Sequence, residues 1–123
     1  MIYGDGLQSR DFTFVANNIA ANLLATTVPG VGGQVFNIAC GRRYTLLDLV
    51  ERSTASCTRI EPEFRPASGD VKHSLADITQ AETGLGYRVQ VDFEAGLAQT
   101  VAWYLQGGSG LQQMERVAAS NGR

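Results

Sequence analysis

Few side chains in this sequence can hold or change a small molecule, and their spacing limits what they can do. Arg10 ends a glycine-rich loop, Gly4-Asp5-Gly6-Leu7-Gln8-Ser9, and precedes an expected strand. A guanidinium fixed there suits a bidentate grip on a diphosphate. Its plainer reading is a surface arginine paired with Asp5 or Asp11. Asp70 lies in a Gly69-Asp70 loop, where an aspartate commonly satisfies its own turn. His73 is the only histidine, and Cys40 and Cys57 are the only cysteines, so the spacing of a zinc site is missing. Ser74 follows His73, but sequence neighbours do not make a nucleophile and its base.

Two absences weigh more. Lys72 is the only lysine, and the residue four positions before it is Ser68. A tyrosine acid/base with its pKa lowered by a lysine four residues on therefore cannot be built from this chain. A dinucleotide cradle is missing as well. Gly4-Asp5-Gly6 follows a short apolar stretch, but its third glycine position is Ser9, and a strand is expected where a helix must begin. Gly107-Gly108-Ser109-Gly110 follows a helix rather than a strand. In neither place would backbone amides converge on a pyrophosphate.

The elements that must position these residues follow from periodicity. Residues 11–15 alternate and are rich in β-formers, which predicts a strand. Residues 16–27 read as a helix with Asn17 as N-cap and Ile19, Leu23 and Thr27 at helical spacing. A loop at 29–33 precedes a second strand at 34–39. Thr45 opens a helix, with Asp48 three residues on in a variant of the capping box, and Leu46, Leu49 and Val50 as its buried face. Residues 59–64 suggest a short edge strand, and 66–74 a polar loop. Asp77, with Gln80, caps a short helix that ends at Gly84-Leu85-Gly86. Asp92 caps the last clear helix, 93–106, with Leu97, Val101, Tyr104 and Leu105 on one face and Trp103 and Tyr104 as core or anchor residues. The expected fold is a mixed α/β unit: a small three-stranded sheet with four to five helices. It divides into residues 1–106 and a glycine-rich hinge with a short terminal helix at 107–123.

Composition sets the outer limits. The 123 residues suit one domain, and the net charge of −2 with interspersed signs marks no nucleic-acid partner. No apolar run has the length of a membrane span, and the first residues have no secretion pattern. These features lead to an expectation of a cytoplasmic protein with reduced, partly buried thiols.

Three ordered stretches carry a resemblance. The run from Ile2 to Val15 resembles the opening of the substrate region in extended short-chain dehydrogenases/reductases. Gly69-Asp70-Val71-Lys72-His73-Ser74-Leu75-Ala76-Asp77 resembles their Gly-Asp-Val-Arg-His-Ser-x-Ala-Asp block. Leu85-Gly86-Tyr87 with Phe93-Glu94-Ala95-Gly96-Leu97 and Trp103-Tyr104 resembles their closing helix. The set is similar to the NAD-dependent epimerase/dehydratase family, in particular the UDP-sugar 4-epimerases, over about residues 1–104.

The resemblance implies a C-terminal lobe without its Rossmann domain. In the family this lobe closes over a nucleotide sugar, while the other lobe holds NAD and performs the chemistry. It implies Arg10 on the diphosphate, Asp70 on ribose hydroxyls, Tyr3 beside the uracil, and no cofactor or catalytic residue in this chain. The sequence also departs from the pattern. Ala67 stands where a second diphosphate arginine is usual, with Arg65 nearby but out of register. Phe14 replaces a tyrosine, and Asn17 an aspartate. The expectation is a truncated, epimerase-like substrate lobe that binds a UDP-sugar weakly and does not turn it over. The alternative is an interaction module that pairs with itself or with a separate cofactor lobe through the face this lobe would otherwise hide.

Overall fold

The computed structural model describes residues 1–56, 61–66, 69 and 71–106. The elements run β1 (Ile2–Tyr3), β2 (Ser9–Arg10), α1 (Val15–Thr27), β3 (Tyr44–Thr45), α2 (Leu46–Ser56), β4 (Phe64–Arg65), α3 (Thr79–Gly84) and α4 (Phe93–Leu105). The architecture is mixed α/β, with four helices and few strands. The expected hinge and terminal helix at 107–123 lie outside the described residues, as do Cys57, Ala67 and Asp70. Among the described residues no helix is long and apolar enough to cross a membrane.

The local capping signals fold largely as read. Asp48 Oδ2 accepts from the Thr45 amide and hydroxyl, both at 2.7 Å, and Thr45 Oγ1 accepts from the Asp48 amide at 3.0 Å. This reciprocal box fixes where α2 starts. Asp92 caps α4 by accepting from the Ala95 amide at 2.9 Å. Gly86 takes φ +68° after α3, and the Tyr87 amide turns back to the Ala81 carbonyl. The Asp77 cap is displaced by one residue. Asp77 accepts from the Thr79 amide at 2.9 Å, but Ile78 occupies the capping position.

The strand assignments need correcting. The expected three-stranded sheet is replaced by two pairs: β1 parallel to β4, and β2 antiparallel to β3. Residues 11–14 are not a strand, because their groups are used elsewhere. Asp11 accepts from the amides of Cys40 and Gly41, both at 2.9 Å. Phe12 stacks on Phe93 at 5.3 Å between centroids, and Phe14 packs against Gly96 of α4. Residues 34–39 form no ladder among the described residues. They are held by side chains instead, Phe36 and Ile38 facing the core. Of the edge strand expected at 59–64, residues 59 and 60 lie outside the described residues, 61–63 are not strand, and only Phe64 belongs to β4.

The face of α1 is also rotated from expectation. Asn17 and Ala21 are its buried residues, while Ile19 and Leu23 are exposed. Asn17 does not cap the helix. It lies in the first turn, fully buried, and Phe14 precedes the helix without a side-chain cap. Its Oδ1 accepts from the amides of Gln90 and Val91, both at 3.0 Å, and its Nδ2 donates to the Val91 carbonyl at 2.7 Å. The loop before α4 is thereby latched to α1, which fixes the helix's rotation.

The core is small: Ala21, Ala81, Leu85 and Tyr87, flanked by Leu24, Val31, Phe36, Ile38 and Ile78. Tyr87 is fully buried, and its hydroxyl donates to the Ala39 carbonyl at 2.9 Å. Burial, and then the nearby Cys40 and Asp11, push its phenol above the usual tyrosine range. A second cluster ties α2 to α4. Tyr44 stacks on Phe93 at 4.1 Å, and the Arg52 guanidinium lies 5.5 Å from the Tyr44 centroid while pairing with Glu94 at 2.9 Å. The far end of α4 corrects another expectation. Trp103, Tyr104 and Leu105 are exposed, and Trp103 meets Tyr104 edge-on rather than filling the core.

Candidate functional site

One stretch, residues 2–10, builds the site by joining the two strand pairs. Its first part runs beside β4, with the Ile2 amide on Glu63 O at 2.7 Å and the Gly4 amide on Arg65 O at 2.8 Å. The chain then reverses through Gly4 and Gly6, at φ +85° and +76°. Gly6 is required twice over: its φ disfavours any side chain, and a Cβ there would lie 2.8 Å from Leu47. The carbonyls of Gly6 and Gln8 accept from the amides of Leu47 and Leu46, which seats the turn on the start of α2.

Residues 72–74 are fastened to the outer side of β2. The Ser9 amide donates to Lys72 O at 2.9 Å, and the Ser74 amide donates to Ser9 O at 3.1 Å. Ser9 Oγ and His73 Nδ1 lie 2.9 Å apart. His73 is thus a fastener between segments.

A cavity of about 470 Å³ opens where these pieces meet. Tyr3, Asp5, Gln8, Leu46, Val71 and Lys72 are among its walls. Gln8 is oriented by donating to the Tyr3 carbonyl at 2.6 Å. Lys72 crosses the mouth to Asp5 at 3.0 Å, with both side chains more than half exposed. The Leu7 amide, and then Lys72, hold the Asp5 carboxyl below the usual carboxylate range. The arrangement offers an apolar floor, a flat aromatic ring, a neutral amide, a carboxylate and a cation.

The sequence candidates are placed unequally. Tyr3 lines the cavity at 51% exposure. Arg10 adjoins it without lining it. Its Nη1 donates to Ser9 O at 2.9 Å and Lys72 O at 3.4 Å, so the guanidinium stands over the backbone of the lysine that bounds the cavity. Of the acids considered as its partners, Asp5 pairs with Lys72 and Asp11 accepts from two backbone amides. Arg65 is opposite Tyr3 in the β1–β4 register and is ion-paired with Glu63, outside the cavity wall. Asp70 lies outside the described residues. Its neighbour Gly69 lines the cavity at φ +56°.

Lys72, Asp5 and Gln8 were missed by sequence reasoning. Lys72 could have been found, being the sole lysine and lying within the matched Gly-Asp-Val-Lys block. Gln8 carried no signal of its own. Among the described residues no group of acidic, histidine and cysteine side chains could hold a metal. Cys40 is half-buried, and burial, followed by the Asp11 charge, raises its thiol pKa, so it is not an activated nucleophile.

Comparison with known proteins gives this geometry a class. No family model matches the chain. A dTDP-glucose 4,6-dehydratase of Haemophilus influenzae is 35% identical over 120 residues, covering 85% of this chain and 35% of that protein. The structure of UDP-glucose 4-epimerase from Thermotoga maritima with UDP-glucose superposes with a TM-score of 0.79 at 36% identity, over 86% of this chain and 34% of that one. MoeE5 in complex with UDP-glucuronic acid and NAD superposes with a TM-score of 0.79 at 33% identity, over 86% of this chain and 36% of that one. Over most of its length the chain is therefore homologous to the C-terminal portion of NAD-dependent sugar-nucleotide epimerases and dehydratases. It spans about a third of the length of the relatives it matches.

Proposed function

We propose that this chain is the nucleotide-sugar-binding side of an epimerase- or dehydratase-type site, and that it binds a UDP-sugar without turning it over by its own residues. The observation that carries this reading is the cavity between β1, the Gly4–Gly6 turn and Lys72, with the Arg10 guanidinium beside it. Tyr3 offers a ring face to the base, and Gln8 an amide to its polar edge. Asp70 is assigned to the ribose hydroxyls. Arg10 takes the diphosphate by paired hydrogen bonds. Lys72 adds a second cation, which compensates in part for Ala67. Arg65 flanks the site from β4, and exchanging exposed Glu63 for a phosphate would cost it little. The sequence has no tyrosine–lysine couple of its own for proton and hydride movement, and the matched MoeE5 structure contains NAD as well as UDP-glucuronic acid.

The test is calorimetric titration of the chain with UDP-glucose and with UDP. Saturable binding is expected for both. Arg10→Ala should weaken it by about 1.5–3 kcal/mol, roughly 10- to 150-fold in Kd. An unchanged Kd would remove Arg10 from the site, and no binding to the parent chain would reject the reading.

A second reading, that the chain is an interaction module, is favoured by a separate observation. Val15, Ile19 and Leu23, one stripe of α1, are 59%, 54% and 63% exposed.

A further inference from the structure

The ion pair at the mouth of the cavity uses the two oxygens of one carboxylate for different ends. Asp5 Oδ1 accepts from the Leu7 amide at 2.9 Å, which shapes the turn, while Asp5 Oδ2 accepts from Lys72 Nζ at 3.0 Å. The carboxylate is thus held by its own turn, independently of the lysine. Lys72 is held at its other end. Its carbonyl accepts from the Ser9 amide at 2.9 Å and from Arg10 Nη1 at 3.4 Å, so its backbone is tied to β2 and to the guanidinium beside the cavity. The movable part is its flexible four-carbon stem, with the side chain 58% exposed against 52% for Asp5.

A pair this exposed contributes little stability, so changing the lysine's partner costs little. The cavity gives such a change a use. Asp5 and Lys72 both belong to its wall, together with Tyr3 and Gln8. A phosphate-bearing ligand that enters has to reach an ammonium that a carboxylate already holds. Phosphate carries more charge and more acceptor oxygens than a carboxylate, so it competes well for that ammonium. Asp5 does not follow the lysine, because the Leu7 amide keeps it in the turn, and its charge then faces an anion.

We propose that Asp5 is a built-in competitor for the ligand's diphosphate: it holds the Lys72 side chain across the mouth of the cavity, and binding transfers the ammonium from Asp5 Oδ2 to a phosphate oxygen while the Lys72 backbone stays tied to Ser9 and Arg10. The inference deepens the nucleotide-sugar reading and rests on it. It gives two neighbouring charged residues opposite effects on affinity. Arg10 raises it, and Asp5 lowers it by occupying the second cation of the site.

Lys72 is the only lysine, so isotope-labelled lysine gives the full chain a single ε-carbon signal in magnetic resonance. Titration with UDP should move that signal in the parent, which tests the exchange without any substitution. In Asp5→Asn, which keeps an Oδ1 acceptor for the Leu7 amide, the signal should differ from the parent's before UDP is added. Calorimetry should show UDP binding about 2- to 5-fold tighter in this variant than in the parent. Lys72→Gln should weaken binding, and adding Asp5→Asn to it should bring no gain. A lysine signal that stays still during saturable UDP binding would overturn the inference and leave the nucleotide reading standing, and so would a Kd that Asp5→Asn leaves unchanged or raises. A gain that persists in the Lys72→Gln background would overturn it too, because Asp5 would then act by repelling the ligand alone. Neither heat nor signal change with any of these chains would reject both the inference and the reading beneath it.

Discussion

The two sides of this molecule solve the problem of a small core in opposite ways. The side formed by residues 2–10, α2 and 69–74 is polar and held by backbone exchange, carboxylates on amides and one ion pair at its mouth. The side formed by α1 and 34–38 has no charge and relies on apolar packing plus one buried amide, Asn17. The polar side leaves no buried side-chain polar atom without a partner among the described residues and has a cavity of about 470 Å³. The apolar side leaves stripe and strand edge bare. On the two readings proposed above, one side meets a small molecule and the other a protein body.

The largest effect should come from the buried polar side chain of the apolar side. Asn17→Ala removes the acceptor of two backbone amides and the donor to one carbonyl, in a position with no access to water. Unmade buried hydrogen bonds cost about 1–3 kcal/mol each and are not additive, so a loss of about 3 kcal/mol is expected. Urea unfolding measures it, with exposed Asn18→Ala as a control expected within about 0.5 kcal/mol of the parent. Equal stability of the two variants would mean that the latch between α1 and 90–91 carries no weight. The distinction between the two sides would then lose its anchor.

Asn17 also shows where sequence reasoning stops. A polar residue near a helix start reads as a cap, because capping depends only on neighbours in the chain. The observed role depends on residues 90–91, more than seventy positions away. The same divide runs through the fold. The Thr45–Asp48 box, the Asp92 cap and the left-handed Gly86 are local and were legible. Ladder partners are not local. Residues 11–15 and 34–39 have the composition of strands, but Phe12 and Phe14 are claimed by α4, and 34–38 has no neighbour to pair with. The two-residue strands that were missed are too short to show any period. Tyr3, which lines the cavity, and Arg10, which adjoins it, were visible as candidates through the ordered resemblance. The Lys72–Asp5 bridge was not, since its members are 67 residues apart.

A smaller effect belongs to the polar side. Gly6→Ala places a methyl group against Leu47 in a backbone conformation that costs an L-residue about 1–2 kcal/mol. Stability should fall by about that amount, measured by the same urea midpoint. The turn also sets the floor of the cavity, so UDP binding should weaken together with stability. A stable variant with normal binding would mean that the turn does not shape the site.

The smallest effect, and the sharpest separation of the two sides, should come from acid. The Thr45 hydroxyl first, and then its amide, hold the Asp48 carboxyl below the usual carboxylate range, and the Leu7 amide and Lys72 do the same for Asp5. A carboxylate whose folded pKa lies below its unfolded value, about 3.9, adds stability above that value and loses it as pH falls through the folded pKa. Both groups lie on the polar side, and residues 12–41 contain no carboxylate at all. Amide protection factors should therefore stay flat from pH 7 to 5. Below about pH 4, after correction for its intrinsic pH dependence, protection should fall first at the turn 5–7 and at 45–48, while α1 keeps its own. Asp48→Asn should blunt the change at 45–48 and leave that at 5–7 intact. Loss of protection in α1 at the same pH would show that the two sides open as one unit. The contrast between them would then describe composition alone and not stability.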